Sequence, residues 1–215
     1  MGSDNVLDQI ISSGVIAIMR AKSSDQLLAA AEAILGGGVN TIEVTMTTPG
    51  AIDVIKQATA KFGSEVIFGV GSVLDAETAR IAILAGAKFV VGPIVDVEMI
   101  ELCKRYSVPV IPGAFTPSEV IHAWQSGADL VKVFPASFGG PAYLKAIKAP
   151  LPQVKLVPVG GVTVENTAEF IRAGAELVAI GSALINQALL DSGDLDEMTA
   201  RARRFREEVE RGRSG

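Results

Sequence analysis

The sequence predicts an α/β fold: a single (β/α)8 TIM barrel preceded by an N-terminal helix. The first observation is a set of eight short apolar runs whose ends lie about 20 to 26 residues apart, which is room for one strand, one helix and two short loops. The second is that most helix-like segments between these runs end at glycine, as helices commonly do. An eightfold alternation of strand and helix favours a closed barrel.

The apolar runs predict parallel strands that are buried on both faces, because they are continuous rather than alternating in polarity. These runs are 15–19, 40–44, 66–70, 89–92, 109–112, 130–133, 156–159 and 177–180. Helix patterns lie between them at 25–35, 51–62, 76–85, 97–106, 117–125, 143–148 and 164–173. A helix at 5–13, within an N-terminal extension at 1–13, is expected beneath the barrel. The segment 195–211, within a C-terminal helix and tail at 195–215, predicts the last outer helix.

An open, doubly wound sheet is the alternative architecture. It would not require eight repeated units, and its dinucleotide-binding form carries a Gly-x-Gly-x-x-Gly loop after the first strand. This chain instead has Arg20 and Lys22 in the segment that follows its first apolar run. The barrel therefore remains the favoured prediction.

Composition limits the classes of function. The chain has 215 residues, of which 49 % are hydrophobic, which is enough to bury the core of one domain spanning 1–215. A net charge of −5 argues against nucleic-acid binding. No run approaches the roughly 20 apolar residues of a membrane span, and the start lacks a signal region, so a cytoplasmic protein is expected. With only Cys103 and His122 as soft ligands, we expect no metal and no cofactor.

Lys132 is the most informative residue, because it lies late in the sixth apolar run, with Leu130 and Phe134 on the same face. Burying an ammonium group there has an energetic cost, and the carboxyl ends of barrel strands are where catalytic residues lie. Lys88 and Lys155, by contrast, stand at the beginnings of their runs. Lys132 is a candidate nucleophile; the alternative is a lysine whose stem is buried and whose ammonium reaches solvent.

Glu43 is a carboxylate inside the second apolar run. Burial raises the pKa of a carboxyl group toward the range that suits acid and base catalysis. A lysine that forms a Schiff base requires a nearby group to transfer protons, so Glu43 and Lys132 together favour catalysis. Considered alone, Glu43 could equally be a structural partner for a basic residue.

Two glycine turns follow the seventh and eighth runs, at Gly160 and Gly161 and at Gly181 and Ser182. Glycines let backbone N–H groups approach an anion closely, and phosphate sites of TIM barrels commonly lie at these two positions. The four residues are therefore predicted to bind phosphate. The alternative is that the glycines only turn the chain.

Five motifs together resemble the class I 2-keto-3-deoxy-6-phosphogluconate (KDPG) and 4-hydroxy-2-oxoglutarate (KHG) aldolases and their 6-phosphogalactonate relatives, over 15–182. The motifs are Ile42-Glu43-Val44-Thr45, Gly69-Val70-Gly71-Ser72-Val73-Leu74, Ile111-Pro112-Gly113, Val131-Lys132-Val133-Phe134-Pro135-Ala136 and Pro158-Val159-Gly160-Gly161-Val162. The resemblance implies a homotrimeric, metal-independent aldolase. Lys132 would attack the C2 carbonyl of a 2-keto acid, and Glu43 would move protons. The products would be pyruvate and an aldehyde such as glyceraldehyde 3-phosphate.

The end of the site that binds pyruvate or its carboxylate is assigned to a set of residues near the strand ends. These are Arg20, Thr45, Thr47, Ser72, Pro93 and Phe134. Many relatives have arginine at the position of Thr47, and we expect Arg20 to replace that charge, the alternative being a surface arginine. Ser72 keeps the hydroxyl of the more usual threonine. Val159 replaces a threonine of the phosphogluconate branch, which leaves gluconate or galactonate preference open and makes Val159 a specificity residue.

Other functions remain possible at this level. A different phosphate-binding TIM-barrel isomerase or synthase would share the glycine turns but use Lys132 as an acid or a simple cation. A non-catalytic trimeric scaffold would keep only the fold. A metal-dependent aldolase would find few ligands in this chain.

Overall fold

The computed structural model describes the backbone of residues 3–215 and the side chains of residues 6–215. Within this range, short strands alternate with helices. The strands are β1 (Val15–Met19), β2 (Thr41–Thr45), β3 (Ile67–Gly71), β4 (Val90–Val91), β5 (Val110–Ile111), β6 (Gly113–Ala114), β7 (Val131–Val133), β8 (Leu156–Pro158) and β9 (Val178–Ile180). Seven of the eight predicted strands are found, within a few residues at each end, and the fifth is divided in two.

The helices occupy the segments between the strands. They are α1 (Ser3–Ser13), α2 (Ser24–Gly36), α3 (Ala51–Phe62), α4 (Ala76–Leu84), α5 (Val97–Arg105), α6 (Pro117–Gln125), α7 (Gly140–Lys148), α8 (Val164–Arg172), α9 (Gln187–Ser192) and α10 (Leu195–Arg213). Helix α9 and a short 3-10 helix at Ala136–Phe138 were not predicted from the sequence. None of the helices in the described part of the chain is both long and apolar enough to cross a lipid bilayer.

The described strand pairs are all parallel and form a curled α/β sheet in two parts. Six strands follow the order β5-β4-β3-β2-β1-β9, and three follow the order β6-β7-β8. The run predicted as one strand at 109–112 is divided at Pro112, which has no N–H to donate to a ladder. Its first part pairs with β4 and its continuation pairs with β7. The single continuous fifth strand of the prediction is therefore wrong.

Two apolar clusters lie on the two faces of the sheet. The larger cluster packs the strands against the surrounding helices and includes Val15, Ala17 and Met19 of β1. The smaller cluster lies on the opposite, concave face and includes the alternate β1 residues Ile16 and Ile18. Because both faces of each strand are buried, the strands read as continuous apolar runs rather than alternating ones.

Helix α1 covers one end of the concave cluster. Ile10 is fully buried in that cluster, and Val6, Leu7 and Ile11 pack against it. Arg206 and Arg213 of α10 donate hydrogen bonds to the last carbonyl groups of α1. Since all strands run in the same direction, their carboxyl ends lie together at the other end of the sheet. The loops there form what we call the carboxyl-end face.

Candidate active site

Lys132 is the middle residue of β7 and points to the concave side of the sheet. It pairs in register with Gly113 of β6 and Val157 of β8, and it is only 6 % exposed. Its Nζ atom lies 4.8 Å from the centroid of the Phe134 ring. Burial lowers the pKa of the Lys132 ammonium, while the Glu43 carboxylate partly opposes this shift. A larger share of this lysine is therefore available as a free amine than of a lysine in water.

The surroundings of Lys132 differ on its two sides. Leu130 is buried in the concave cluster below the lysine, whereas Phe134 is 40 % exposed and covers the ammonium with the face of its ring. The sequence predicted that both residues shield the lysine on the same face. The structure adds that Phe134 does so as a partly exposed cover rather than as a core residue.

Glu43 is the middle residue of β2, between Ile18 of β1 and Gly69 of β3 in register. It is only 2 % exposed, and its Oε2 atom is buried without a hydrogen-bond partner among the described residues. Burial raises the pKa of the Glu43 carboxyl group, and the charges of Lys132 and Arg20 act in the opposite direction. A buried carboxyl oxygen without a partner is costly, and it is free to accept or donate a proton to a ligand.

The structure brings Glu43 and Lys132 close enough for each charge to shift the pKa of the other. Arg20, in the loop after β1, is exposed, and its charge acts on both groups. The three residues come from the first, second and seventh strands, so the fold alone brings them together. This arrangement places a weakly basic amine, a carboxyl group and a cation around one point on the carboxyl-end face.

Besides Arg20 and Phe134, the residues assigned to the pyruvate end lie at the end of β2 and in the loops after β2, β3 and β4. Thr45 is fully buried, and its Oγ1 atom lies 2.8 Å from Oγ1 of exposed Thr47 and 3.5 Å from Oγ1 of Thr48. Ser72 has a φ of 60°, which is unusual for a residue with a side chain. Pro93 is half-buried, next to β4. The sequence analysis did not single out Thr48, although the threonine repeat contains it.

A cavity of about 290 Å³ lies on the carboxyl-end face, and its lining includes Phe134, the residue that covers Lys132. Arg20 also lines this cavity. So do all the residues predicted to bind phosphate or to set specificity, which are Val159, Gly160, Gly161, Gly181 and Ser182. The lining does not include Thr45, Thr47, Ser72 or Pro93, so the residues assigned from the sequence separate into two groups. Phe134 belongs to both the cavity and the surroundings of Lys132.

The glycine turn after β8 has a conformation that requires glycine. Gly160 and Gly161 have φ values of 86° and 79°, which L side chains rarely adopt. Asn166 fixes this loop, since its Nδ2 donates to the Gly161 carbonyl and its Oδ1 accepts from the Thr163 backbone N–H. Asn166 was not identified from the sequence, although the Thr-x-x-Asn spacing at the start of α8 is the signal of a helix cap.

Metal ligands are not clustered in the part of the chain that the structure describes. There, no three His, Cys, Asp or Glu side chains lie together in a position to hold an ion. Cys103 is buried, and burial raises the pKa of its thiol to about 12.

Comparison with known proteins identifies the family. A family model described as KDPG and KHG aldolase matches residues 6–201. The chain belongs to this aldolase family. It is 32 % identical over 197 residues to the 2-dehydro-3-deoxy-6-phosphogalactonate aldolase of Escherichia coli (strain K12), covering 91 % of this chain and 96 % of that protein. The KHG/KDPG aldolase of the same organism is 33 % identical over 198 residues, with 91 % and 92 % covered.

A solved structure of the family agrees with the fold and bears on the chemistry. The KDPG aldolase of Legionella pneumophila was captured with pyruvate at low pH as a covalent carbinolamine intermediate. The TM-score between it and this chain is 0.86 at 28 % identity, with 92 % of this chain and 96 % of that chain covered. The resemblance inferred from the five sequence motifs is confirmed.

Proposed function

We propose that this chain is a class I aldolase that cleaves KDPG or its galactonate epimer to pyruvate and glyceraldehyde 3-phosphate, and that it also accepts 4-hydroxy-2-oxoglutarate. The observation that carries the proposal is the buried Lys132, whose pKa is lowered, next to a buried Glu43 whose pKa is raised. Membership of the aldolase family indicates which reaction Lys132 and Glu43 would carry out. This membership favours the aldolase over the isomerase or synthase that the sequence alone left open.

Lys132 supplies the nucleophile. Its free amine adds to the C2 carbonyl of the keto acid to give a carbinolamine, and loss of water gives a protonated imine. Glu43 in its acid form donates the proton that the departing hydroxide needs. The cationic nitrogen then serves as the electron sink for the next step, which a hydroxyl nucleophile could not provide.

Carbon–carbon cleavage uses the Glu43 carboxylate as the base. It removes the proton of the C4 hydroxyl group, the C3–C4 electron pair moves to form an enamine, and the aldehyde leaves. Glu43 then returns a proton to C3, and water hydrolyses the resulting imine to release pyruvate and the free amine of Lys132. A carboxyl group that must both accept and donate a proton works best with a pKa near the working pH, which burial favours.

The two groups of site residues bind the two ends of the substrate. The cavity with the turns Gly160–Gly161 and Gly181–Ser182 takes the phosphate group, and Arg20 supports this end because it lines the same cavity. Thr45, Thr47, Ser72, Pro93 and Phe134 are assigned to the pyruvate end. The role for Arg20 at the carboxylate, expected from the sequence, stays a prediction.

Closure of the strands into an eight-stranded barrel within one domain is part of the proposal. It is supported by two isolated parallel bridges, Leu156 to Ala175 and Val159 to Ala179, which join the region of β8 to that of β9. The other junction lies at Pro112, between β5 and β6. The cytoplasmic location expected from the sequence stays a prediction.

The homotrimer implied by the family resemblance is also proposed. Large apolar side chains at Leu74, Ile94 and Phe138, in loops of the carboxyl-end face, are 57 %, 51 % and 80 % exposed. Phe138 also contacts the exposed ring of Phe115, with 6.3 Å between the ring centroids, and an exposed apolar patch commonly marks a contact surface. Light scattering of the purified protein tests the proposal, and a monomer at micromolar concentration would contradict it.

Trapping with borohydride tests the proposed chemistry directly. The protein is reduced in the presence of pyruvate, and the modified peptide is identified by mass spectrometry. We expect one adduct, on Lys132, and none in Lys132→Arg, which keeps the charge but lacks a nucleophilic amine. Release of pyruvate from KDPG, measured with a coupled dehydrogenase, checks turnover. Labelling of another lysine would refute the assigned nucleophile, and absence of both labelling and release would favour a non-catalytic scaffold.

A further inference from the structure

Gly71, the last residue of β3, lies directly against the side chain of Glu43. A Cβ atom at position 71 would stand 1.7 Å from Glu43 Oε1, 2.3 Å from Cδ and 2.6 Å from Cγ. Real Cβ atoms essentially never come within 3.0 Å of such neighbours. The Glu43 carboxyl group therefore occupies the space that any side chain at position 71 would need.

Space, and not backbone conformation, is the reason for glycine at this position. Gly71 is not among the glycines with positive φ, so its backbone is open to residues with a side chain. Gly160 and Gly161 differ in this respect, because their φ values themselves require glycine. Replacing Gly71 by alanine would thus add one methyl group without forcing the backbone to change.

The strand register shows the direction in which Glu43 leans. Glu43 pairs with Gly69, whereas Gly71 pairs with Thr45. The Glu43 side chain therefore leans two residues along β3, from its register partner Gly69 to Gly71, toward the carboxyl-end face. In this position its Oε2 atom is buried and without a hydrogen-bond partner among the described residues.

We propose that Gly71 is a positioning residue whose missing side chain lets the Glu43 carboxyl group lean toward the carboxyl-end face, where it meets the ligand held by Lys132. The identity of the reacting ligand depends on the proposed function. The contact between Gly71 and Glu43 is seen in the structure and does not depend on it. A methyl group at position 71 would turn the carboxyl group away from the reacting carbon atoms while leaving Lys132 in place.

Exchange of the pyruvate methyl protons in deuterated water provides the first readout, because it follows proton transfer at C3. We expect Gly71→Ala to lower the exchange rate by at least about tenfold, within the usual contribution of a general base. Borohydride should still label Lys132 fully at the end point. Burial is the main cause of the raised pKa of Glu43, so a displaced carboxyl group should shift the acidic limb of the rate profile. Exchange within about twofold of the unmodified protein would overturn the proposal.

A double-mutant cycle with Glu43→Ala separates positioning from a general effect on the fold. Glu43→Ala removes the atoms that a methyl group at position 71 would strike. We expect Gly71→Ala to lower Tm in the native background and to change neither Tm nor exchange further in the Glu43→Ala background. Equal losses of Tm in both backgrounds would contradict the proposal, because the glycine would then serve the fold alone.

Gly69→Ala is the matched control. Gly69 lies two residues earlier on the same face of β3, and a Cβ atom there would stand 2.5 Å from the Phe89 ring. This variant should lower Tm equally with and without Glu43 and leave the pH profile unchanged.

Folding failure is also informative. If Gly71→Ala does not fold but the Glu43→Ala, Gly71→Ala double variant does, the contact with Glu43 is the cause, as proposed. If neither folds, the proposal is wrong. If the unmodified protein is not labelled at Lys132, the proposed function fails, and the Tm cycle still decides the relationship between Gly71 and Glu43.

Discussion

The Lys132 ammonium group lies over the face of the Phe134 ring, with 4.8 Å between Nζ and the ring centroid. Two opposite effects on the lysine pKa come from this contact. The ring face favours the charged form by about 0.5–1 kcal/mol at a partly exposed site. The ring also keeps water away from the ammonium group, and burial is the largest cause of the lowered pKa of Lys132. Shielding therefore outweighs the attraction.

Phe134→Ala is expected to raise the pKa of Lys132, because it admits water to the nitrogen atom. The pH at which borohydride trapping with pyruvate reaches half its maximal rate should move upward, and trapping at pH 7 should slow. Phe134→Leu keeps an apolar cover and loses only the ring attraction, so its profile should stay in place or move slightly downward. Identical profiles for the two variants would show that Phe134 does not shield the lysine.

Replacing both buried charged groups by apolar ones, as Lys132→Met with Glu43→Met, is expected to stabilise the fold while abolishing activity. Burial lowers the pKa of Lys132 below its ordinary 10.5 and raises the pKa of Glu43 above its ordinary 4.5. At a pH between these two values, the charged forms of Glu43 and Lys132 are more favourable in the unfolded chain than in the folded chain. Substitution of buried ion pairs by apolar groups of similar size often stabilises a protein by about 1–4 kcal/mol.

The pH dependence of that stabilisation has a definite sign. Glu43 makes the native protein less stable as pH rises above 4.5, and Lys132 makes it less stable as pH falls below 10.5. The advantage of the double variant should therefore be largest near neutral pH and shrink toward either value. Urea unfolding across this range measures it. Lys88→Met, at an exposed lysine, is the control and should show no such dependence. A double variant less stable than the native protein at pH 7 would contradict the argument.

Arg20→Ala should distinguish the two ends of the substrate. Since Arg20 lines the cavity with the glycine turns, we expect KM for the phosphorylated substrate to rise by about tenfold or more, and KM for 4-hydroxy-2-oxoglutarate to change much less. The Arg20 charge lowers the pKa values of both Glu43 and Lys132, so both limbs of the pH profile should move upward. Lys22→Ala is the control, because Lys22 pairs with Asp191 and does not line the cavity. Equal increases of KM for both substrates would place Arg20 at the carboxylate instead.

Val159→Thr should change the preference between the two C4 epimers. Val159 is 5 % exposed and lines the cavity, and threonine has nearly the same shape with one added hydroxyl group. A hydrogen bond of about 0.5–1.5 kcal/mol to a substrate hydroxyl corresponds to roughly two- to tenfold in the kcat/KM ratio, in favour of the gluconate epimer. Val157→Thr, one position deeper in the concave cluster, should cost stability without changing the ratio. An unchanged ratio in Val159→Thr would remove Val159 from the specificity residues.

The strands and long helices were predictable because their signals are local. β1, α3 and α6 begin and end at the predicted residues, since a continuous apolar run or a cap defines them. The division at Pro112 depends on which neighbouring strand each half pairs with, and a single sequence does not contain that information. Helix α9 has six residues and one buried side chain, Leu190, so its periodicity is too short to recognise.

The chemistry of the site was readable for a related reason. A lysine and a glutamate inside apolar runs are conspicuous, and the parallel topology then places them at one end of the sheet. The end of the substrate that Arg20 serves depends on the direction of its side chain, which a sequence does not contain, and its expected role at the carboxylate stays a prediction. The use of Gly71 was also hidden, since its meaning depends on a side chain that leans across from the adjacent strand.

Helix α1, through Ile10, covers the end of the concave cluster away from the reacting groups. Water then reaches Glu43 and Lys132 from one side only, the side through which the substrate enters. While an aldehyde product occupies that opening, the proton taken up by Glu43 has no route to the solvent. The proton that Glu43 removes from the C4 hydroxyl group should consequently be the one that it delivers to the methyl group of pyruvate while the aldehyde is still bound.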